Sequence, residues 1–170
     1  MRYYDTYESP HGRMLLVATG DGLAGVYFAG QKYFPQKAKT WQRDPGRAVL
    51  RRAKRELAEY FSGRRRRFGV ALDPQGTPFQ RKVWKQIAGV GFGDTISYAE
   101  LARRAGRAGS ARAAGAATGR NPLSVIVPCH RIVGSDGALT GYAGGLGRKK
   151  ALLKLEGVLG RFTGAAGRTP

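Results

Sequence analysis

A chain of 170 residues with 42% apolar residues is long enough for one ordinary domain, or two small ones sharing a core, which excludes bulk disorder. No run approaches the roughly 18 apolar residues that span a bilayer, and Met1-Arg2-Tyr3-Tyr4-Asp5 lacks the apolar core of a secretory signal, so the chain is read as soluble, intracellular and cytoplasmic. Against 11 Asp and Glu stand 30 Lys and Arg, a net charge of +19 that favours a polyanionic partner, nucleic acid ahead of membrane headgroups; a solvated basic surface or an Arg-rich composition is the bland alternative.

In chain order, Tyr3 to Tyr7, Met14 to Thr19 and Leu23 to Phe28 are apolar or aromatic runs of strand length. Ser9-Pro10-His11-Gly12 and Gly20-Asp21-Gly22 punctuate them, which predicts a short antiparallel sheet. Asp44-Pro45 offers a helix start, with Asp as N-cap and Pro at the first helical position. Val49, Ala53, Leu57, Tyr60 and Phe61 follow at helical spacing, with Arg51, Arg52, Lys54 and Arg55 largely off that stripe. Arg64 to Arg67 read as a solvated basic loop. Asp73-Pro74-Gln75-Gly76-Thr77-Pro78 has linker composition and sets the boundary between an N-terminal domain over 1–76 and a C-terminal domain over 77–170.

Beyond the linker, Phe79, Val83 and Ile87, with Trp84 beside them, form one face of a short helix. Ser97-Tyr98-Ala99-Glu100 is a capping-box pattern opening a second helix, with Leu101, Ala102 and Ala105 facing inward. Gly106 to Gly109 make a turn, and Ser110 caps a third helix running to about Thr118. Two helices joined by a short Gly-containing turn make a helix-turn-helix candidate. The second of them, Ala111 to Ala117, is nearly all small residues. Its backbone can approach a neighbouring helix or a DNA groove, with Arg112 the one side chain long enough to reach bases. Gly164 to Pro170 are expected to fray.

Chemistry concentrates on the single cysteine. One Cys forms no internal disulfide and, with two histidines, completes no ordinary Cys/His zinc site, so no metal is expected. Val125-Ile126-Val127 reads as a short strand closed by Pro128, followed by Cys129, His130 and the apolar pair Ile132-Val133. A thiol becomes a nucleophile when a base or positive charge stabilises its thiolate. His130 can be that base, directly or through a water, and Arg131 adds charge. Neighbours on a strand point to opposite faces, so the pair works together only if the backbone turns.

Asn121-Pro122 followed by Ile126-Val127-Pro128-Cys129-His130-Arg131-Ile132-Val133 resembles the active-site signature of the O(6)-alkylguanine-DNA alkyltransferases. Thr77-Pro78-Phe79-Gln80 with Val83-Trp84, Gly93-Asp94-Thr95-Ile96-Ser97-Tyr98, Ala111-Arg112-Ala113 and Thr140-Gly141-Tyr142-Ala143-Gly144-Gly145 match that family's other segments in order and spacing, from Thr77 to Gly157. The resemblance implies a mixed α/β (α+β) protein: a small N-terminal antiparallel sheet-plus-helix domain, then a mainly helical domain with a helix-turn-helix. It implies single-turnover repair, an alkyl group passing from O(6)-alkylguanine, and also from O(4)-methylthymine, to Cys129, without a cofactor.

In that reading His130 takes the thiol proton through a water and Glu156 orients His130. Tyr98 helps swing out the nucleotide and hydrogen-bonds its ring edge, and Asn121 braces the turn. Arg112 fills the stack behind the flipped base, while Thr95, Ser97, Ala111, Ala113 and Gly115 lie along the DNA. Tyr142, Ala143, Pro128 and Ile132 form the pocket. Ala143 stands where several relatives carry a polar or larger residue, which bears on pocket size. The implied partner is double-stranded DNA containing alkylated guanine, bound by a monomer, with cooperative assembly on DNA left open. The competing readings are a non-catalytic sensor of alkylated DNA, a helix-turn-helix regulator, and a thiol hydrolase that turns over repeatedly.

Overall fold

A computed structural model describes residues 1–158; the fraying expected for Gly164 to Pro170 lies outside the described residues. The chain divides into two compact units. One is Met1–Gln75 together with Pro122–Ile126, and the other contains Gly76–Asn121 and, among the described residues, 127–158.

In the first unit, β1 (Tyr3–Ser9), β2 (Gly12–Ala18) and β3 (Leu23–Phe28) form the antiparallel meander that the alternating runs predict. A two-residue strand, β4 (Gln42–Arg43), adds parallel to β1, giving the order β3-β2-β1-β4. Met14 to Ala18 are buried without interruption, as befits a central strand covered on both faces. The sheet is extended from far along the sequence. Val26 N–H donates to Pro122 O (2.8 Å) and Val26 O accepts from Ser124 N–H (3.0 Å), so Pro122–Ile126 docks beside β3.

Helix α1 (Ala48–Phe61) packs on β1 and β2. It starts later than Asp44-Pro45 suggested, with Arg47 at the N-cap position. Asp44 is held in the ladder by its N–H on Tyr4 O (2.9 Å), and Arg47 N–H closes a turn onto Asp44 O (3.1 Å), so helical geometry cannot begin until that turn is complete. Its buried face is Leu50, Ala53, Glu56, Leu57 and Tyr60, whereas Val49 and Phe61 are half-buried. Glu56 is the member that hydrophobic spacing does not reveal. Its carboxylate accepts from Gly69 N–H (2.7 Å), Val70 N–H (3.2 Å) and Arg52 Nε (2.8 Å), pinning the chain beyond the helix.

The second unit opens with α2 (Pro78–Ala88). Thr77-Pro78, part of the presumptive linker, is in fact the helix start. Thr77 Oγ1 accepts from Gln80 N–H (3.1 Å) while Gln80 Oε1 accepts from Thr77 N–H (3.0 Å), a complete capping box with Pro at the first helical position. A short parallel pair, β5 (Ile96–Ser97) with β6 (Ile132–Val133), leads into α3 (Tyr98–Arg104). Ser97 Oγ caps α3 by accepting from Glu100 N–H (3.0 Å). The reciprocal half of that box is not made, because the Glu100 carboxylate pairs with Arg103 and Arg104.

Helix α4 (Ala111–Gly119) buries Ala114, Ala117 and Thr118 and packs on α2 and α3. Its small residues allow the close approach at which Trp84 Nε1 donates to Ala117 O (2.8 Å). Helix α5 (Leu146–Leu155) follows the 134–145 loop.

Replacing Glu56 by Ala keeps helix propensity but leaves the Gly69 and Val70 amides without their acceptor. The cost is predicted at about 2–4 kcal/mol, measured as a fall in denaturant midpoint at unchanged slope; a change within about 0.5 kcal/mol would show that the carboxylate is replaceable by solvent.

Candidate active site

The run Val125-Ile126-Val127 is not a strand. Ile126 N–H bonds back to Ser124 O (2.9 Å) around Val125, whose φ is 73°. Cys129 N–H bonds back to Val127 O (2.8 Å) around Pro128 at φ −81°, ψ 67°. These are two successive three-residue turns, the first of the rare left-handed kind. A β-branched residue at positive φ is strained. It is held here because Pro122 and Ser124 are already bonded to β3, and every residue from Asn121 to Val133 is buried. Burial on all sides explains why the segment is apolar without being extended. Cys129–Arg131 then form one 3₁₀ turn, Arg131 N–H on Pro128 O at 2.9 Å, before β6 begins. This is the backbone turn that joint action of Cys129 and His130 requires. Asn121 Nδ2 donates to Val127 O (2.8 Å) and braces it.

His130 is fully buried. Its Nε2 lies 2.8 Å from Glu156 Oε2, and its Nδ1 has no hydrogen-bond partner among the described residues. Glu156 sits at the C-cap position of α5, where the helix dipole disfavours a carboxylate. It is stabilised instead by a fork from Arg131, Nε to Oε1 at 2.8 Å and Nη2 to Oε2 at 2.9 Å, and by Gly93 N–H at 3.3 Å. Arg131 Nη1 also donates to Val90 O (2.6 Å). Arg131 therefore does not lend its charge to the thiol as the sequence suggested; it is 5% exposed and committed to Glu156.

Burial works against the charge on Glu156, but His130 and Arg131 overcome it and hold the carboxyl well below the usual range. Burial also pushes the His130 pKa down, against the pull of Glu156, and the positive charges of Arg131 and Lys149 add to the lowering. His130 is thus neutral at neutral pH. An ionised carboxylate on Nε2 selects the tautomer with the proton there, which leaves the Nδ1 lone pair as the basic site.

Cys129 is 5% exposed. Burial raises its pKa, opposed by the nearby Asn121 amide, the charge of Lys149, its own backbone and the nearby Tyr142 hydroxyl. The resting thiol is protonated. Tyr98, the first residue of α3, follows β5, which pairs with β6 directly after the cysteine turn. Its hydroxyl approaches Thr140 O at 3.4 Å, and burial raises its pKa, so it remains a donor. A Cβ on Gly115 would lie 3.6 Å from the Tyr98 ring, an ordinary contact.

The structure thus joins Asn121, Cys129, His130, Glu156 and Tyr142 in one cluster, with Pro128 and fully buried Ile132 in the same segment. Ala143 is half-buried beside Tyr142. Arg112 is exposed in the first turn of α4, flanked by half-buried Ala111 and Ala113, and Thr95 and Ser97 lie half-buried before α3. No hydrogen bond among the described residues links Thr95, Ala111, Arg112 or Ala113 to the cysteine turn.

Sequence reasoning missed Lys149, which is fully buried on α5. The signal was present: Lys149, Leu152, Leu153 and Glu156 fall at 0, 3, 4 and 7, one face of a helix, so a lysine occupies a core position.

Residues 78–158 match the family model described as 6-O-methylguanine DNA methyltransferase, DNA binding domain, and residues 2–74 match its ribonuclease-like domain. The methylated-DNA–protein-cysteine methyltransferase of Mycobacterium bovis is 44% identical over 156 residues, 92% of this chain and 93% of that protein. The one from Methanosarcina acetivorans is 43% identical over 91% of this chain and 98% of its own length. The crystal structure of Mycobacterium tuberculosis OGT in complex with DNA superposes with a TM-score of 0.83 at 43% identity, covering 91% of this chain and 92% of that one. The chain belongs to the methylated-DNA–protein-cysteine methyltransferase family.

Glu156→Gln is predicted to destabilise the fold by about 3–5 kcal/mol, because it strands the buried Arg131 guanidinium. Glu156→Gln combined with Arg131→Met should recover much of that loss in a double-mutant cycle; simple additivity of the two single changes would contradict the pairing. Since the folded-state pKa of Glu156 is depressed, the pair's contribution is complete above the ordinary carboxylate range. It is lost only as pH falls toward the folded-state value.

Proposed function

We propose that Cys129 is the acceptor in the O6-methylguanine DNA methyltransfer that this chain performs, and that each molecule reacts once. The observation that carries the reading is the buried Nδ1 of His130, without a hydrogen-bond partner among the described residues, on a ring whose Nε2 is held by an ionised carboxylate, next in sequence to the only cysteine.

The thiol is protonated at rest, so a base must act as the bond forms. His130 Nδ1 accepts the Cys129 proton through one water, and Glu156 stabilises the imidazolium that results. The sulfur attacks the methyl carbon in line, a sulfur–carbon bond forms and the carbon–oxygen bond to the base breaks. Guanine leaves with that electron pair and takes up a proton, equivalent to the one the thiol lost, with the Tyr98 hydroxyl donating at the ring edge. Asn121 holds the cysteine turn, and Tyr142, Ala143, Pro128 and Ile132 enclose the base; O(4)-methylthymine offers the same alkyl–oxygen bond.

A stacked base cannot reach a buried thiol, so the nucleotide must be extruded at a cost of a few kcal/mol. Arg112, exposed at the start of α4, has the length to fill the place it leaves, and half-buried Thr95, Ser97, Ala111, Ala113 and Gly115 allow close approach of the duplex. The net charge of +19 favours binding through phosphates and counterion release.

A methyl thioether has no carbonyl for water to attack, and no second cysteine exists to take the group onward. With excess O6-methylguanine oligonucleotide, demethylation should stop at one equivalent per active molecule, with the added methyl on the peptide containing Cys129. Cys129→Ser should abolish transfer and retain duplex binding. Product beyond one equivalent, or a methyl on another residue, would overturn the assignment.

A further inference from the structure

Lys149 is 0% exposed and forms no ion pair among the described residues. Lysine is almost never fully buried unless paired, and taking its charge out of water is costly. Its three donors are all used on backbone carbonyls: Ile132 O at 2.7 Å, Thr140 O at 2.8 Å and Gly141 O at 3.1 Å. Ile132 begins β6, directly after the cysteine turn, whereas Thr140 and Gly141 belong to the loop that carries Tyr142. That loop has little else to hold it. Ser135, Asp136, Ala138, Thr140 and Gly141 are exposed. Beyond the lysine contacts, the Tyr98 hydroxyl on Thr140 O and Arg148 Nη1 on Gly144 O, its backbone bonds are local turns such as Gly134 N–H on Ala138 O and Gly137 N–H on Gly134 O.

We propose that Lys149 is a positioning residue of the methyl-transfer site, its buried ammonium fastening the Thr140–Gly141 part of the substrate loop to the strand that follows Cys129. The inference rests on the reading of Cys129 as acceptor. Three carbonyls converging on one point suit a tetrahedral ammonium and not a planar guanidinium fork. The Tyr98 hydroxyl approaches the same Thr140 carbonyl, and the lysine nitrogen lies 5.9 Å from the Tyr98 ring centroid. The clamp therefore fixes Tyr142 and Tyr98 against one reference point. Burial depresses the lysine pKa to about 8, with the nearby Cys129 sulfur opposing the drop, so the ammonium is the majority form at neutral pH.

The test compares wild type, Lys149→Met and Lys149→Arg by three measurements. Lys149→Met is expected to slow single-turnover transfer from a saturating methylated duplex by about 100-fold, the scale of a roughly 1 Å misplacement. In Lys149→Arg, which keeps the positive charge near the sulfur, alkylation of Cys129 by iodoacetamide should stay within about threefold, since a small reagent needs no ordered loop. Amide hydrogen exchange should accelerate across residues 135–142 and not in α1 or α4. If Lys149→Met does not fold, Lys149→Arg carries the test, because it keeps charge and stem but lacks the geometry, and the same loop-selective loss is expected. A wild-type transfer rate in either folded variant overturns the proposal, as does an equal loss of transfer and iodoacetamide reactivity in Lys149→Arg, or exchange accelerated throughout. Absence of methyl on Cys129 in the wild-type arm would instead strike the functional reading itself.

Discussion

The Glu156 carboxylate is the point on which the second unit's chemistry depends. It lies at the end of α5, where the helix dipole is unfavourable, and is 6% exposed. It remains ionised because the Arg131 fork, His130 and the Gly93 amide supply its hydrogen bonds. Those partners come from the cysteine turn and from the loop ahead of β5, so one anion ties two separate stretches of chain to the end of α5. Arg131 extends the reach to the Val90 carbonyl at the end of α2. A buried arginine–carboxylate fork is rarely a large net source of stability against an apolar replacement. What it supplies here is a fixed orientation for one imidazole.

That orientation decides the electrostatics. Because Arg131 already neutralises Glu156, the carboxylate cannot lift the histidine into its cationic form against the cost of burial. The thiol next to it is likewise kept protonated by burial. The resting site is thus a neutral pair inside a charged frame, unlike a thiolate–imidazolium pair poised for reaction with any electrophile. On the proposed reading, charge separation waits for a substrate, and Asn121, Tyr142 and the Lys149 charge, each of which lowers the Cys129 pKa, then stabilise the developing thiolate. On that reading, in which Cys129 is spent after one reaction, a thiol slow to react without its substrate is an advantage.

Much of this was legible in the sequence, and the failures have definite physical causes. The three N-terminal strands and helix α2 follow from hydrophobic period, and Ser97 caps α3 as its spacing indicates; Ser110 stands at the N-cap position of α4 as expected but makes no side-chain capping bond. Val125-Ile126-Val127 misled because a segment buried on all sides is apolar whether it is extended or turned, and the bonds that turn it run to Val26, about a hundred residues away. Asp44-Pro45 carried a helix-start signature that the β4 ladder overrode. Thr77 was hidden in a linker-like composition although its capping partner, Gln80, stands three residues on. Charge was the least readable feature: Glu56, Arg131 and Lys149 resemble surface residues until their buried partners are located, although Lys149 betrays itself by falling in register with Leu152, Leu153 and Glu156.

His130 rests neutral, protonated on Nε2, with Nδ1 available as the base. Nitrogen-15 NMR of the imidazole side chains reports this directly, and only one other histidine, His11, needs to be assigned apart. Across pH 6 to 8, a range chosen as roughly that in which an unperturbed histidine titrates, the account predicts one protonated and one bare nitrogen, with the proton on Nε2. An imidazolium in the resting protein at neutral pH, or a neutral ring carrying its proton on Nδ1, would contradict it.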